Sequence, residues 1–111
     1  MITYVVIMLY RFLFILMGTY CGNNKPYIKD MKLTIVNETV LDVYVKLPRD
    51  TITCNNQHYI LTNDDEIVMV DDCVENELKK HKVDLEETYF NEATNEVTIE
   101  TNVGNMLLEA C

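Results

Sequence analysis

The sequence contains no serine and no tryptophan, and its few glycines and prolines are scattered. A chain without serine lacks the nucleophile of the Ser-His-Asp hydrolases. Gly18, Gly22 and Gly104 stand apart from one another, so no glycine-rich loop is available to cradle a phosphate. A Cys-x-x-Cys motif for redox exchange is also missing. These absences favour a protein that is not an enzyme, and no cofactor is predicted.

Positive charge is scarce as well, because 9 Lys and Arg face 18 Asp and Glu, for a net charge of −9. Such a surface repels phosphate backbones, so nucleic acid is not a predicted partner. A length of 111 residues allows one domain. The abundance of Asn, Ile, Lys and Tyr is typical of AT-rich genomes and favours a virus or a similar source.

A single long apolar run opens the chain, and Arg11 is its one charged residue. About 20 apolar residues suffice to cross a ~30 Å hydrocarbon layer. Residues 1–20 are therefore predicted to form an apolar helix that is either a transmembrane anchor or a cleaved signal peptide. A third interpretation is a buried segment of a soluble protein, which the remaining chain is too short to cover. The run predicts a membrane-anchored or secreted protein.

The side of the membrane stays open. Lys25, Lys29 and Lys32 follow the apolar run, and the positive-inside tendency would place them, and the domain behind them, in the cytosol. A signal peptide or signal anchor would place the domain outside. Residues 21–31 are polar and are predicted to be a linker, and residues 32–111 are predicted to form the domain.

Alternation of apolar and polar residues predicts strands, most clearly over 41–47. Residues 66–70 (EIVMV) are apolar on both faces, which favours a central strand covered on both sides. The other predicted strands are 32–35, 51–54, 58–62 and 96–101, with a last apolar piece at 106–108. Residues 83–90 are ambiguous, although a strand is expected at their end.

One helix is predicted after Asp71-Asp72, because Val74 and Leu78 lie four residues apart and acids precede bases along it. The fold class predicted is α+β: a small, mostly antiparallel β-sheet domain with one helix, preceded by the N-terminal apolar helix. An all-β sandwich is the alternative if the helix is short.

The cysteine count is even. Four cysteines behind a leader predict two disulfides, and four cysteines allow three pairings. The preferred pairing joins Cys54 to Cys73 within the domain and Cys21 to Cys111 across its ends. Free, packed thiols are the other interpretation.

Metal sites are not predicted. The acids between Asp64 and Glu77 lack the glycine and the oxygen ligands that an EF-hand loop needs at its inner positions. The spacings among Cys54, His58, Cys73 and His81 match no compact zinc motif. Turn formation, helix capping and solubility account for the acids.

Two kinds of surface candidate remain. Asn37-Glu38-Thr39 is an N-glycosylation sequon, usable only in a lumenal or extracellular domain. Tyr44, Tyr59 and Tyr89 are candidates for a contact surface, since aromatic side chains dominate many interfaces.

The function predicted from these observations is a non-enzymatic binding or structural module that presents an acidic sheet domain to a protein partner. Residues 1–20 would supply its contact with a membrane. Two alternatives stay open: a cytosol-facing structural membrane protein of a virion or organelle with reduced cysteines, and a small metal-binding protein or Cys-dependent enzyme.

Overall fold

The structure is a computed structural model that describes residues 16–111. The predicted anchor or signal peptide lies almost wholly outside these residues. The described elements, in chain order, are β1 (Gly18–Asn24), β2 (Ile28–Ile35), β3 (Val40–Lys46), β4 (Thr51–Leu61), β5 (Ile67–Met69), α1 (Cys73–Lys79), β6 (Leu85–Asn91), β7 (Glu96–Thr101) and β8 (Gly104–Ala110).

The eight strands form one antiparallel sheet in the order β5-β4-β3-β2-β1-β8-β7-β6. Its two edge strands meet at a single bridge, between Glu66 beside β5 and Tyr89 in β6. The sheet is therefore a nearly closed, barrel-like surface in which each strand lies beside its neighbours in sequence.

Period-two alternation sends one face of each strand inward. On β3 Leu41, Val43 and Val45 are buried, while Asp42 and Tyr44 on the other face are partly exposed. A bulge in β4 keeps this pattern in register: Asn56 has a positive φ of 55° and its N–H donates to the Asp42 carboxylate at 2.7 Å. The filled interior is the hydrophobic core that holds the sheet together.

The first and last strands approach closely where β1 passes β8. A Cβ atom on Gly22 would lie 2.3 Å from the backbone oxygen of Leu107, so no larger residue fits without moving a strand. On the same pair of strands, Tyr20 is buried, its ring packs edge-on against Phe90, and its hydroxyl donates to Asn95 at 2.8 Å.

The antiparallel order gives the barrel two distinct ends. One, called here the helix end, carries the β1–β2, β3–β4 and β7–β8 turns together with α1. Val74 and Leu78 of α1 are buried, and a hydrogen bond of 2.8 Å joins His81 to Asp50. The opposite end, called the open end, carries the start of β1 and the β2–β3, β4–β5 and β6–β7 turns.

The predicted α+β class is wrong, and the structure is not a two-sheet sandwich either. The helix lies where the sequence predicts it, but it has only seven residues, and every strand belongs to a single curled sheet. Closure of that sheet depends on pairing between β1 and β8, the first and last strands of the described residues. Local periodicity carries no information about such a pairing.

The predicted linker is also corrected. Residues 21–31 contain the end of β1, a turn and the start of β2. The sequence of this stretch is polar because several of its side chains face solvent. The buried Ile28 and Met31 are three residues apart rather than two, at a register shift in the β1–β2 ladder. Residues 83–90, whose sequence pattern is ambiguous, contain most of β6 (Leu85–Asn91), so the strand expected at their end is present.

Both predicted disulfides are present: Cys21 pairs with Cys111 and Cys54 pairs with Cys73. The first joins β1 to the residue that follows β8. The second joins β4 to the first residue of α1. The prediction of disulfide bonds is therefore confirmed.

Candidate functional site

An apolar patch lies on the outer surface of β4 and β5, and we call it the β4–β5 patch. It consists of His58, Ile60, Val68 and Val70. Ile60 is 57% exposed, Val68 40% and Val70 59%. Ile60 lies directly opposite Val68 in the ladder, and the Val70 N–H donates to the His58 carbonyl at 2.9 Å. The four residues therefore form a compact group on β4, on β5 and at the residue directly after β5.

The position of β5 explains why this patch is exposed. Ile67 points into the core and is buried, so Val68 points outward. The prediction of a central strand covered on both sides is wrong here, because β5 is an edge strand with β4 as its one fully paired neighbour. An apolar outer face at a sheet edge is not needed for the core, and such exposed patches commonly mark interaction sites.

The stretch of chain that contains the patch is acidic, and two of its acids, Glu75 and Glu77, form salt bridges with Lys79 and Lys80. Residues 51–78 contain no Lys or Arg. The acids of this stretch lie in the β4–β5 turn, after β5 and in α1: Asp64, Asp65, Glu66, Asp71, Asp72, Glu75 and Glu77. A partner with an apolar centre and a basic rim would complement both features.

His58 and Asp71 tie the patch to the start of α1. The backbone N–H of His58 donates to the Asp71 carboxylate at 2.8 Å, and its ring Nδ1 lies 2.8 Å from the same oxygen. The backbone hydrogen bond is the largest cause, and the ring contact the second, of a lowered pKa of the Asp71 carboxyl. The Asp71 carboxylate, which lies beside the β5 edge of the sheet, therefore stays ionised in weak acid.

The three candidate tyrosines do not share one surface. Tyr59 is buried, and its hydroxyl donates to the Asn37 carbonyl at 2.8 Å. Tyr44 is half-buried on β3 with the Lys32 ammonium 5.9 Å from its ring centre. Tyr89 is half-buried on β6 and donates to Glu87, which raises the pKa of Tyr89 to about 12. None of the three belongs to the β4–β5 patch.

The residues weighed for zinc are engaged elsewhere. Cys54 and Cys73 form a disulfide, His58 contacts Asp71, and His81 contacts Asp50. Within residues 16–111, no group of three or more His, Cys, Asp or Glu side chains is placed to hold a metal ion.

A small recess opens at the open end of the barrel. It has a volume of about 190 Å³. Among its lining residues are Leu16, Met17, Val36, Tyr59 and Leu61. Met17 and Val36 are more than half exposed at its rim. Asn37, the sequon asparagine, lies in the exposed β2–β3 turn beside it.

Sequence reasoning missed the β4–β5 patch. The available signal was the run EIVMV itself, which is apolar on both faces. That pattern predicts a strand at the centre of a sheet, because buried strands share it. Only the strand order distinguishes a covered strand from an exposed edge.

Comparison with protein-family models, with curated proteins and with solved structures finds no match to this chain. Over residues 16–111, no helix has the length and apolar character to cross a bilayer.

Proposed function

We propose that this protein is a non-enzymatic binding module, exported or membrane-anchored, that contacts a protein partner through the β4–β5 patch. The observation that carries the proposal is a group of three exposed aliphatic side chains at one edge of the sheet: Ile60 on β4, Val68 on the edge strand β5, and Val70 directly after β5. The partner surface would have an apolar centre and a basic rim.

Burial of this patch would supply part of the free energy of binding a partner. Fully burying one Val or Ile side chain stabilises by roughly 1.5–3 kcal/mol relative to full exposure. Three half-exposed side chains together therefore offer ~3 kcal/mol of apolar burial to a partner. An edge strand also accepts a further strand by main-chain hydrogen bonds.

Export is supported by the cysteines. All four are paired in the structure, and disulfides persist mainly in oxidising compartments. The apolar run at residues 1–20 agrees with passage into or across a membrane. With the cysteines paired, neither Cys54 nor Cys73 is a free thiol for nucleophilic chemistry.

The test is site-specific photocrosslinking of the full-length chain in the cells that naturally produce it. A photoreactive residue is placed at Val68, and the matched control places it at Leu107, an exposed apolar residue on β8. We expect a discrete crosslinked protein from position 68 and none from position 107. Adding Ile60→Asp and Val70→Asp should abolish the adduct without unfolding the domain, because both side chains face solvent.

Two results would count against the proposal. One is the absence of a discrete adduct at position 68 in a chain whose disulfides are formed. The other is the same set of adducts from positions 68 and 107, which would indicate contact without a specific surface.

A further inference from the structure

The β2–β3 turn presents the one N-glycosylation sequon in the 111 residues, Asn37-Glu38-Thr39. The turn connects Ile35 of β2 to Val40 of β3, and all three sequon residues are exposed. A bulky, hydrophilic oligosaccharide can be attached at a surface turn of this kind without disturbing the core.

The backbone of the turn is firmly held. The N–H of Asn37 donates to the Val40 carbonyl at 3.1 Å, and the carbonyl of Asn37 accepts the Tyr59 hydroxyl at 2.8 Å. Tyr59 in turn donates its N–H to the Thr39 carbonyl at 3.0 Å. The turn therefore has a fixed position at the open end, against β4.

The two polar atoms of the Asn37 side chain differ in their hydrogen bonding. Its oxygen accepts the Thr39 N–H at 2.9 Å and the Thr39 hydroxyl at 3.2 Å. Its nitrogen Nδ2 makes no hydrogen bond to any described residue. The sequon hydroxyl thus contacts the amide that would be modified, while the nitrogen that would carry the sugar is not engaged by the fold.

We propose that Asn37 carries an N-linked oligosaccharide at the open end of the barrel. The sugar donor is a lipid-diphosphate-linked oligosaccharide in the secretory membrane of a eukaryotic host cell. A bond forms between Nδ2 and C1 of the first sugar, the C1–O bond to the diphosphate breaks, and the proton lost from Nδ2 leaves with the diphosphate. No oxidant or reductant is required.

The position of the sugar has a structural consequence. The turn borders the recess, and Val36 precedes the sequon directly, with 52% of its side chain exposed. An oligosaccharide there covers the apolar rim of the open end, which would otherwise face water. The β4–β5 patch continues from Ile60 toward the helix end, so its Val70 side lies away from the turn.

The inference rests on the export that the proposed function includes, and the test separates the two. The full-length chain is expressed in a eukaryotic secretory host and alkylated without reduction. Its intact mass is measured before and after treatment with a peptide N-glycosidase. We expect hexose-containing mass that the enzyme removes, leaving Asp in place of Asn37 in the peptide.

Four variants test whether Asn37 is the residue that carries the sugar. Asn37→Gln and Thr39→Ala should both lose the added mass, while Thr39→Ser keeps the hydroxyl and should retain it. Asn63→Gln is the matched control, because Asn63 is an exposed turn residue outside any sequon and its loss should leave the added mass unchanged.

The negative outcomes are distinct. A chain without added sugar whose four cysteines resist alkylation would overturn the glycosylation and leave export standing. A chain without added sugar that takes up four alkyl groups would overturn export and the glycosylation together. Added sugar that survives Asn37→Gln would place it at another residue and overturn the assignment.

Discussion

Asp71 and Asp50 each contact a histidine, but the histidine atoms that they contact are different. Asp71 accepts both the backbone N–H and the ring of His58, and the backbone bond contributes most to its lowered pKa. Asp50 accepts the ring of His81, and this side-chain bond contributes most to its lowered pKa. Loss of the imidazole ring should therefore change the pKa of Asp50 more than the pKa of Asp71.

Replacing each histidine by alanine tests this difference. His58→Ala keeps its backbone donor, so the pKa of Asp71 should stay below its ordinary value of 3.8. His81→Ala removes the largest cause, so the pKa of Asp50 should rise further toward its ordinary value of 3.8. Carboxyl carbon shifts from a pH titration by NMR measure both. A larger rise at Asp71 than at Asp50 would contradict the assignment of causes.

The sign of the associated stability follows from the direction of these shifts. Each carboxyl is more acidic in the folded chain than in the unfolded chain. Its bonds therefore stabilise the fold fully above the unfolded pKa, and that stabilisation is lost as the pH falls through the folded pKa. The domain should lose stability on the acid side of pH 4, the region of their ordinary pKa.

At the scale of single elements, the alternation of apolar and polar residues predicted the strands well where one face of the strand is buried and the other is exposed to solvent. Residues 41–47 are the clearest case, since Leu41, Val43 and Val45 all face the core of the structure. The helix position was also readable, from Val74 and Leu78.

Alternation misled where strand order decides exposure. The EIVMV run is apolar on both faces in a covered strand and in an edge strand that binds a partner, so the pattern alone cannot separate the two. The linker prediction for residues 21–31 is wrong for a related reason, because β1 contributes few inward-facing apolar residues. One of its positions must be Gly22, since a larger side chain there would collide with the backbone of β8. The disulfide pairing present in the structure is the preferred one of the three that the sequence allows, but the sequence did not predict the closed sheet that the two bonds join.

A buried carboxylate tests the inward face of β3. Val43→Asp should unfold the domain, at a cost of more than about 4 kcal/mol, because a charge would enter the core without a partner. Thr53→Asp is the matched control on the outer face of neighbouring β4, and it should change the free energy of unfolding by less than about 1 kcal/mol. Circular dichroism with urea titration measures both. Equal stability of the two variants would show that Val43 does not face the core.

For the whole molecule, the decisive contact is the one between the first and last strands. All other neighbouring strands in the sheet follow one another along the chain, whereas β1 and β8 are separated along the chain by the six other described strands. The ladder between them is short, pairing Tyr20 with Ala110 and Cys21 with Glu109. The Cys111 N–H donates to the Thr19 carbonyl at 3.0 Å and extends this contact. The Cys21–Cys111 disulfide lies at this junction and holds together strands that few hydrogen bonds join.

The two disulfides should therefore differ in what their removal costs. Cys21 and Cys111 are 90 residues apart, and Cys54 and Cys73 are 19 apart. Loop-closure entropy alone assigns about 4.5 kcal/mol to a loop of the longer size and about 3 kcal/mol to the shorter. Replacing both cysteines of a pair, Cys21→Ser with Cys111→Ser or Cys54→Ala with Cys73→Ala, avoids leaving a free thiol. The free energy of unfolding in urea then gives each cost.

We expect the Cys21–Cys111 variant to be the less stable of the two, and its hydrogen exchange to rise first in β1 and β8. The Cys54–Cys73 variant should instead lose protection first in α1, because this bond joins the helix to β4. If removing Cys21–Cys111 left exchange in β1 and β8 unchanged, the short ladder would hold the sheet closed by itself. The bond would then act on the unfolded chain rather than on the junction.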